Sequence, residues 1–514
     1  MKKTADAFLT GGLVVFVFFF FYLLQFSTPN IIDPDGHFHI KFSYLMRKIG
    51  FIKALPWLQF TIHKDYYRDH HFLQHILYIP FTFGDLLNSA KWTAVVFPTI
   101  AIFSAYWVMK ECNIKLPFLW AGLVLASSHA FLYRMSMPRI QSISLACLLA
   151  TIYFILKRRY LSLGILSFFF VWLYDAFVLT FFIALCFFIS RYIIKKELDY
   201  KVLIYCLAGI VIGIVVNPYF PNNIGSYIFN LTRTAAPVEI MAVGSEWSPY
   251  YTWFFATDSG LTFIVFFAAV IISLIKGTRL KGDTLGLLFF SLLLLIMFLR
   301  SRRWVEYWPP FTVILSAFLI RDVFEGLKMQ GTGDRKQETG NSNLQFIAHR
   351  SLLIVCCLLL SFFLPRNFIE ARSAIKDSRR SDFFKGGALW LKTHTEPKSV
   401  VFNTDWDDFP YLFLYNSENY YIVGLAPDYM YYLDPQLYIK WKKITRGEIK
   451  NPSNAIQETF GARYVITDNG HADFIKKAKE DKHFKKEYQD SFCTVFSIKQ
   501  EVTSPLPPPS QGGD

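Results

Sequence analysis

Charge is scarce in this chain, and cysteine scarcer still. Only 18% of the 514 residues are Asp, Glu, Lys or Arg, and there are seven cysteines: Cys112, Cys147, Cys186, Cys206, Cys356, Cys357 and Cys493. All but Cys493 lie in or beside apolar runs, which excludes a disulfide framework. None is spaced with histidine as a zinc site requires. Internal repeats are missing as well. What the chain has in excess is apolar surface: 53% of residues are hydrophobic, and 54 are Phe. That composition belongs to a polytopic membrane protein. A net charge of +14 would suit nucleic-acid binding, but the Lys and Arg sit mainly in short loops between apolar runs. This is the signature of membrane topology, and no nucleic-acid partner is expected.

Apolar windows fall near residues 8–26, 91–109, 116–132, 140–156, 161–174, 176–190, 201–217, 260–275, 284–299, 308–321 and 350–364. They predict about eleven transmembrane helices, the first a retained anchor without an Ala-x-Ala-like cleavage site. With "MKK" inside, every inner loop carries Lys or Arg. The outer side then receives the loop 27–90, the short turn "YRMSMPR", the loop 218–259 and everything beyond residue 364. The expected localisation is a multi-pass protein of a bacterial inner (plasma) membrane, surrounded by membrane lipids.

The tail is a different kind of sequence. Strand-like "SVVFN", "YYIVGL", "ARYVITD" and "FCTVFSI" alternate with helical patterns near 382–393, 434–445, 452–460 and 471–481. This predicts an α/β domain over residues 366–500 on the outer side, following a transmembrane domain over 1–365. Residues 501–514, "VTSPLPPPSQGGD" from position 502, read as a disordered tail.

The first outer loop is dense in chemistry. "DPDGHFHIKF" places Asp33 and Asp35 at the mouth of the first span, and "HKDYYRDHHFLQHILYIPF" adds Asp65, Asp69, His70, His71 and His75. A lone acid there is ordinarily just solvated; a cluster interleaved with aromatics suggests interfacial helices whose polar edges face a cavity. Sugar transfer from a lipid phosphate needs such parts: a carboxylate to take the acceptor's proton, and cations to neutralise the departing phosphate.

With these residues the chain resembles the GT-C superfamily of membrane glycosyltransferases, most closely the catalytic subunit of oligosaccharyltransferase. Three short motifs carry the likeness. Asp35-Gly36-His37-Phe38-His39-Ile40-Lys41 is similar to the acid after the family's first span, with Lys41 where Arg is common. "AVGSEWSPYYTW" resembles the flexible outer loop that contacts the acceptor, through Glu246 and Pro249. "NTDWDDFPYL" is similar to a Trp/Asp motif opening the outer domain, with Trp406 and Asp407 at the matching places. The resemblance implies Asp35 as the main catalytic carboxylate with Asp33 and Glu246 assisting, and substrate contacts from Trp406, Asp407, Lys41 and His70.

One departure concerns metal. The family's further acid after the third span is absent from "YRMSMPRIQSI", which has Gln141. Two readings stay open: Mg2+ or Mn2+ held by Asp35 and Glu246 with Asp69 or His70 substituting, or a metal-free site like the protein-mannosyltransferase branch. "RSRRWVEYWPP" puts Arg300, Arg302 and Arg303 on the outer side, against the positive-inside tendency. They are either arginines snorkelling to headgroups or a clamp for donor phosphate. Arg134 and Arg139 form a second outer basic pair.

The expected partners are a polyprenyl-linked sugar donor and a protein, lipid or glycan acceptor. Two rival readings are a polysaccharide polymerase or ligase that works through outer arginines and histidines, and a transporter or flippase. The latter calls for repeat-related helices with charges at mid-membrane.

Overall fold

The computed structural model describes the backbone of residues 2–235, 245–329 and 337–499. The expected tail at 501–514 lies outside the described residues. The chain is mostly helical and divides into two compact units: residues 1–52 with 68–381, and residues 53–67 with 382–514.

The first unit is a helical bundle. It opens with α1 (Lys2–Phe26), α2 (Pro34–Ile49), the short α3 (Phe72–Tyr78), α4 (Leu86–Glu111), α5 (Pro117–Leu125), α6 (His129–Met135) and α7 (Gln141–Leu156). Among the described residues, five helices are long and apolar enough to cross a membrane: 6–26, 86–111, 175–195, 282–300 and 347–376. A sixth appears if Thr252–Asp258 and Gly260–Ile275, bent by 74°, count as one span. The count of eleven is therefore reached only in part. The physical reason is length. Windows such as 140–156 and 161–174 become helices of 16 and 14 residues, and at about 1.5 Å per residue these fall short of a hydrocarbon core of roughly 30 Å. The window 116–132 breaks into α5 and α6 around Ser127 and Ser128. Short helices are held by close packing instead: a Cβ on Gly209 would lie 2.1 Å from the Gly164 carbonyl oxygen, so helix Tyr200–Val215 meets helix Tyr160–Leu173 backbone to backbone.

Helix Gln337–Lys376 runs past residue 365, and the units divide after Ser381. Residues 53–67, expected to be part of one outer loop, belong to the second unit.

That unit carries a five-stranded mixed sheet of β1 (Val400–Asn403), β2 (Tyr420–Tyr421), β3 (Tyr464–Asp468), β4 (Phe484–Gln489) and β5 (Cys493–Ile498), in order β2-β1-β3-β5-β4. The β2-β1-β3 half is parallel and the β3-β5-β4 half antiparallel. Helices pack a core of Phe402, Val423, Trp441, Ile456, Val465 and Phe496 against it. The short strand β2 is lengthened from outside. The Trp57 carbonyl accepts from Tyr421 N at 2.7 Å and Gln59 N donates to the Tyr421 carbonyl at 2.9 Å, so the 53–67 segment covers an otherwise open sheet edge.

Candidate active site

Five stretches of the first unit meet where α1 ends and α2 begins. Asp33 sits at a backbone φ of +72°, a conformation L-residues adopt only when their surroundings demand it. The demand is visible. Its Oδ1 accepts the Asp35 amide at 2.9 Å, capping α2, while Oδ2 is left facing Arg139. Asp35, in the first turn, also benefits from the helix dipole.

Arg139 comes from the turn between α6 and α7. One guanidinium nitrogen, Nη1, binds Asp33 Oδ2 at 2.5 Å and the other, Nη2, lies 3.1 Å from Asp35 Oδ2. The turn approaches this closely because Gly36 has no side chain to meet Pro138.

A second ionic group adjoins the first. Arg134 on α6 donates from Nε and Nη2 to Glu306 Oε1 and from Nη1 to Glu246 Oε2, the last at 2.6 Å. Arg303 Nη1 lies 3.5 Å from Glu246 Oε1, and its Nη2 donates to the Tyr174 hydroxyl at 2.7 Å. The Trp247 ring lies 4.8 Å from the same guanidinium. The glutamate's position is fixed by backbone bonds: Ser301 Oγ donates to the Glu246 carbonyl at 2.9 Å, and Arg302 N donates to the Ser248 carbonyl at 3.0 Å. Asp33, Asp35, Glu246 and Glu306 thus meet the guanidiniums of Arg134, Arg139 and Arg303 in one charge cluster.

Two of these acids behave oppositely. Burial raises the Asp35 pKa to about 7; Arg139 and Arg303 oppose the rise, and the charges of Asp33 and Glu246 add to it. For Glu246 burial also disfavours the charge, yet Arg134, Arg303 and Arg139 outweigh it and hold the carboxyl well below the usual range. Glu246 is a fixed charge, whereas Asp35 can exchange a proton near neutrality.

The structure brings Asp33, Asp35, Glu246 and Arg303 together, and it separates the arginine set. Arg300 is exposed at the end of helix Gly282–Arg300. Arg302 donates to the Pro249 carbonyl at 3.3 Å and lies 5.4 Å from the Tyr250 ring, so it braces the loop that carries Glu246. Lys41 lies 5.5 Å from the Tyr44 ring, and the His70 ring is 4.0 Å from that of His71. Trp406 and Asp407 belong to the second unit, in the turn after β1, where Trp406 packs against the core. Arg134 and Arg139 are more central than their sequence suggested. Glu306 and Tyr174 were not singled out at all, although Glu306 follows Arg303 by three residues.

The residues expected to hold a metal are engaged by other groups in this structure. Both Asp69 oxygens are engaged, one by the His71 amide at 2.9 Å and the other by His75 Nδ1 at 2.6 Å. Asp35 and Glu246 are turned toward guanidiniums. Among the described residues no three His, Cys, Asp or Glu side chains are grouped to hold an ion. Between Asp33 and Asp35 the cation is Arg139.

No family model matches the sequence, and no curated protein does either. Solved structures do match. The Archaeoglobus fulgidus oligosaccharyltransferase in its apo form aligns over 96% of this chain and 74% of its own, with a TM-score of 0.65 and 12% identity. ArnT from Cupriavidus metallidurans, bound to undecaprenyl phosphate, aligns over 96% and 98%, with a TM-score of 0.54 and 12% identity. The mycobacterial arabinofuranosyltransferase AftD aligns over 96% of this chain and 40% of its own, at TM-score 0.57 and 9% identity. At such identities the likeness shows the fold alone: this chain shares the fold of these solved structures.

Proposed function

We propose that the protein is a membrane glycosyltransferase that moves a sugar or oligosaccharide from a polyprenyl-phosphate or polyprenyl-pyrophosphate donor to an acceptor on the extracytoplasmic side. The observation that carries this reading is the placing of Asp33, Asp35 and Glu246 against the buried guanidiniums of Arg134, Arg139 and Arg303. Asp35 takes the proton of the acceptor hydroxyl or amide as its oxygen or nitrogen bonds to the sugar's anomeric carbon. The bond from that carbon to the donor phosphate oxygen breaks, and its electron pair leaves with the polyprenyl phosphate. Arg303, with Arg134 behind Glu246, offsets the developing charge through planar forks suited to phosphate. Asp33 orients Asp35 and Arg139, and Glu246 positions the acceptor. Trp406 and Asp407 of the second unit select the acceptor, while Lys41 and His70 assist substrate binding. The reading places the second unit on the extracytoplasmic side of a bacterial plasma membrane. The same kinds of ligand recur in neighbours of this fold, one complexed with dolichol-phosphate and an inhibitory peptide, another with undecaprenyl phosphate.

The test is incubation of purified protein with a panel of radiolabelled polyprenyl-linked sugars. Donor consumption abolished by Asp35→Asn, with unchanged folding, is the expected result. A native protein that consumes no donor across the panel ends the proposal.

A further inference from the structure

A second group of cations belongs to the second unit and has no part in the reaction above. The stretch "ADFIKKAKEDK", residues 472–482, folds as helix Ala472–Glu480 and the turn that leaves it. Phe474 and Ala478 turn into the core. Ala472, Ile475, Lys476 and Lys479, three and four residues apart, fall on a different stripe of the same helix. At ~1.5 Å per residue that stripe is about 10 Å long. With Asn469 and Glu480 these residues line a groove of about 420 Å³, inside the range of roughly 300–1,000 Å³ found for small-ligand sites. The Asn469 wall is fixed, since its Nδ2 donates to the Asp490 carbonyl at 3.0 Å and its Oδ1 accepts from Thr494 Oγ1 at 2.8 Å.

Lysines on a helix surface are ordinarily just solvated. These ones line a concavity and lack acids. Lys476 and Lys479 are exposed, as is Lys482 just beyond the helix, and among the described residues none of the three ammoniums has an ion-pair partner. Glu480, the acid of the groove, is held by Lys477 at 2.8 Å. Asp481 is buried and accepts the Ser453 and His483 amides, each at 3.0 Å. The lysines of β4 differ: Lys485 pairs with Glu487 at 3.0 Å, and Lys486 donates to Gln489 Oε1 at 2.9 Å. Like charges one turn apart disfavour a helix, so the groove keeps a repulsion that a bound anion would relieve.

We infer that this groove binds the acceptor of the transfer reaction, and that the acceptor is an acidic glycan carrying phosphate or carboxylate groups. The inference rests on the glycosyl-transfer reading for the ligand's role, though not for its binding. Ala472 and Ile475 present an apolar floor to the C–H face of a sugar ring. The ammoniums meet its anionic groups as point charges, without the fixed fork of arginine, which suits either kind of oxyanion. The donor's phosphate has guanidiniums of its own in the first unit. A concave groove takes a chain, whereas a flat bilayer surface would leave it unfilled.

The test is titration of the full-length protein, in phosphatidylcholine nanodiscs, with oligogalacturonate, a glycerol-phosphate oligomer and a neutral malto-oligosaccharide of matched length. At least one acidic oligomer is expected to bind, less tightly as salt rises, and the neutral one about tenfold more weakly. Which acidic oligomer binds tells carboxylate from phosphate. Lys476→Gln with Lys479→Gln should weaken acidic binding about tenfold, while Lys476→Arg with Lys479→Arg should stay within about threefold of native. With a working donor, the glutamine pair should raise acceptor KM and leave donor KM unchanged; the reverse overturns the acceptor role. Equal binding of the neutral oligomer overturns the proposal, as does a native protein that binds none of the three. An equal loss in Lys485→Gln with Lys486→Gln would mean unspecific attraction and overturns it too. Oligomer binding lost on moving to phosphatidylglycerol nanodiscs would give the groove to lipid headgroups, which also overturns it. If the native protein consumes no donor, the functional reading fails while the titration still decides what the groove binds.

Discussion

Pro138 Cγ lies 2.4 Å from the point where a side chain on Gly36 would place its Cβ. Nothing larger than hydrogen fits, and the next residue along the turn is Arg139. Gly36→Ala is therefore expected to push the turn outward and loosen the clasp on Asp33 and Asp35. Overpacking of this kind costs about 1–3 kcal/mol. The lowered thermal midpoint should be accompanied by a larger loss of donor turnover, measured on the same preparation. Native turnover in Gly36→Ala would show that Arg139 does not need this approach.

The Asp35 pKa of about 7 sets a pH dependence. A base must be ionised, so kcat/KM should rise as pH increases through about 7 and fall about tenfold per unit below it. Arg139 lowers this pKa, so Arg139→Gln should move the limb to higher pH, while Arg139→Lys should move it less. Asp35→Asn should remove the limb and cost roughly 10²–10⁴ in rate. A flat profile between pH 5.5 and 8.5 (about three units spanning the expected midpoint) would remove Asp35 from the base role.

The parts of this site that could be read in the sequence were those that broke a local rule. Asp33 and Asp35 are acids directly after an apolar span, and Arg303 lies in a basic run where topology disfavours one. Arg139 and Arg134 broke the same rule only as a second outer basic pair, which did not reveal what they bind. Their meaning comes from partners 106 and 172 residues away, Asp33 and Glu306, and no periodicity encodes a contact of that range. The same limit applied to the fold. Helix Pro452–Phe460 was legible to the residue because Pro starts it and Gly461 ends it in the left-handed conformation. Strand β4, "FKKEYQ", was missed because an edge strand exposing lysines has little apolar alternation to read. Hydropathy measures burial as readily as membrane exposure: 61% of the best window in α4, one of the five long apolar helices, is buried inside the protein.

Glu306 should matter more for stability than its distance from the chemistry suggests. Its side chain is fully buried and shares Arg134, itself 9% exposed, with the partly exposed Glu246. Removing one partner of a buried pair leaves an uncompensated charge and costs about 3–5 kcal/mol. Glu306→Ala is expected to lower the thermal midpoint sharply, and Glu246→Ala to lower it less while reducing transfer more. Equal effects of the two substitutions on both measurements would mean that the carboxylates are interchangeable props for Arg134.

The donor set makes a prediction about metal. Hard divalent ions need several oxygen ligands free to turn inward, and here one oxygen each of Asp33 and Asp35 meets Arg139, the other Asp33 oxygen accepts the Asp35 amide, and both Asp69 oxygens are held by the His71 amide and His75. A guanidinium supplies one positive charge at the place where an ion would supply two. Donor consumption is accordingly expected to be unchanged within about twofold when excess EDTA is present throughout, and to gain nothing from added Mg2+ or Mn2+. Arg139→Ala removes the resident cation and frees two carboxylate oxygens, Asp33 Oδ2 and Asp35 Oδ2. That variant, inactive in EDTA, should recover part of its turnover when Mn2+ is added. Loss of native activity in EDTA, restored by Mn2+, would show instead that Arg139 yields its place to an ion when substrates bind.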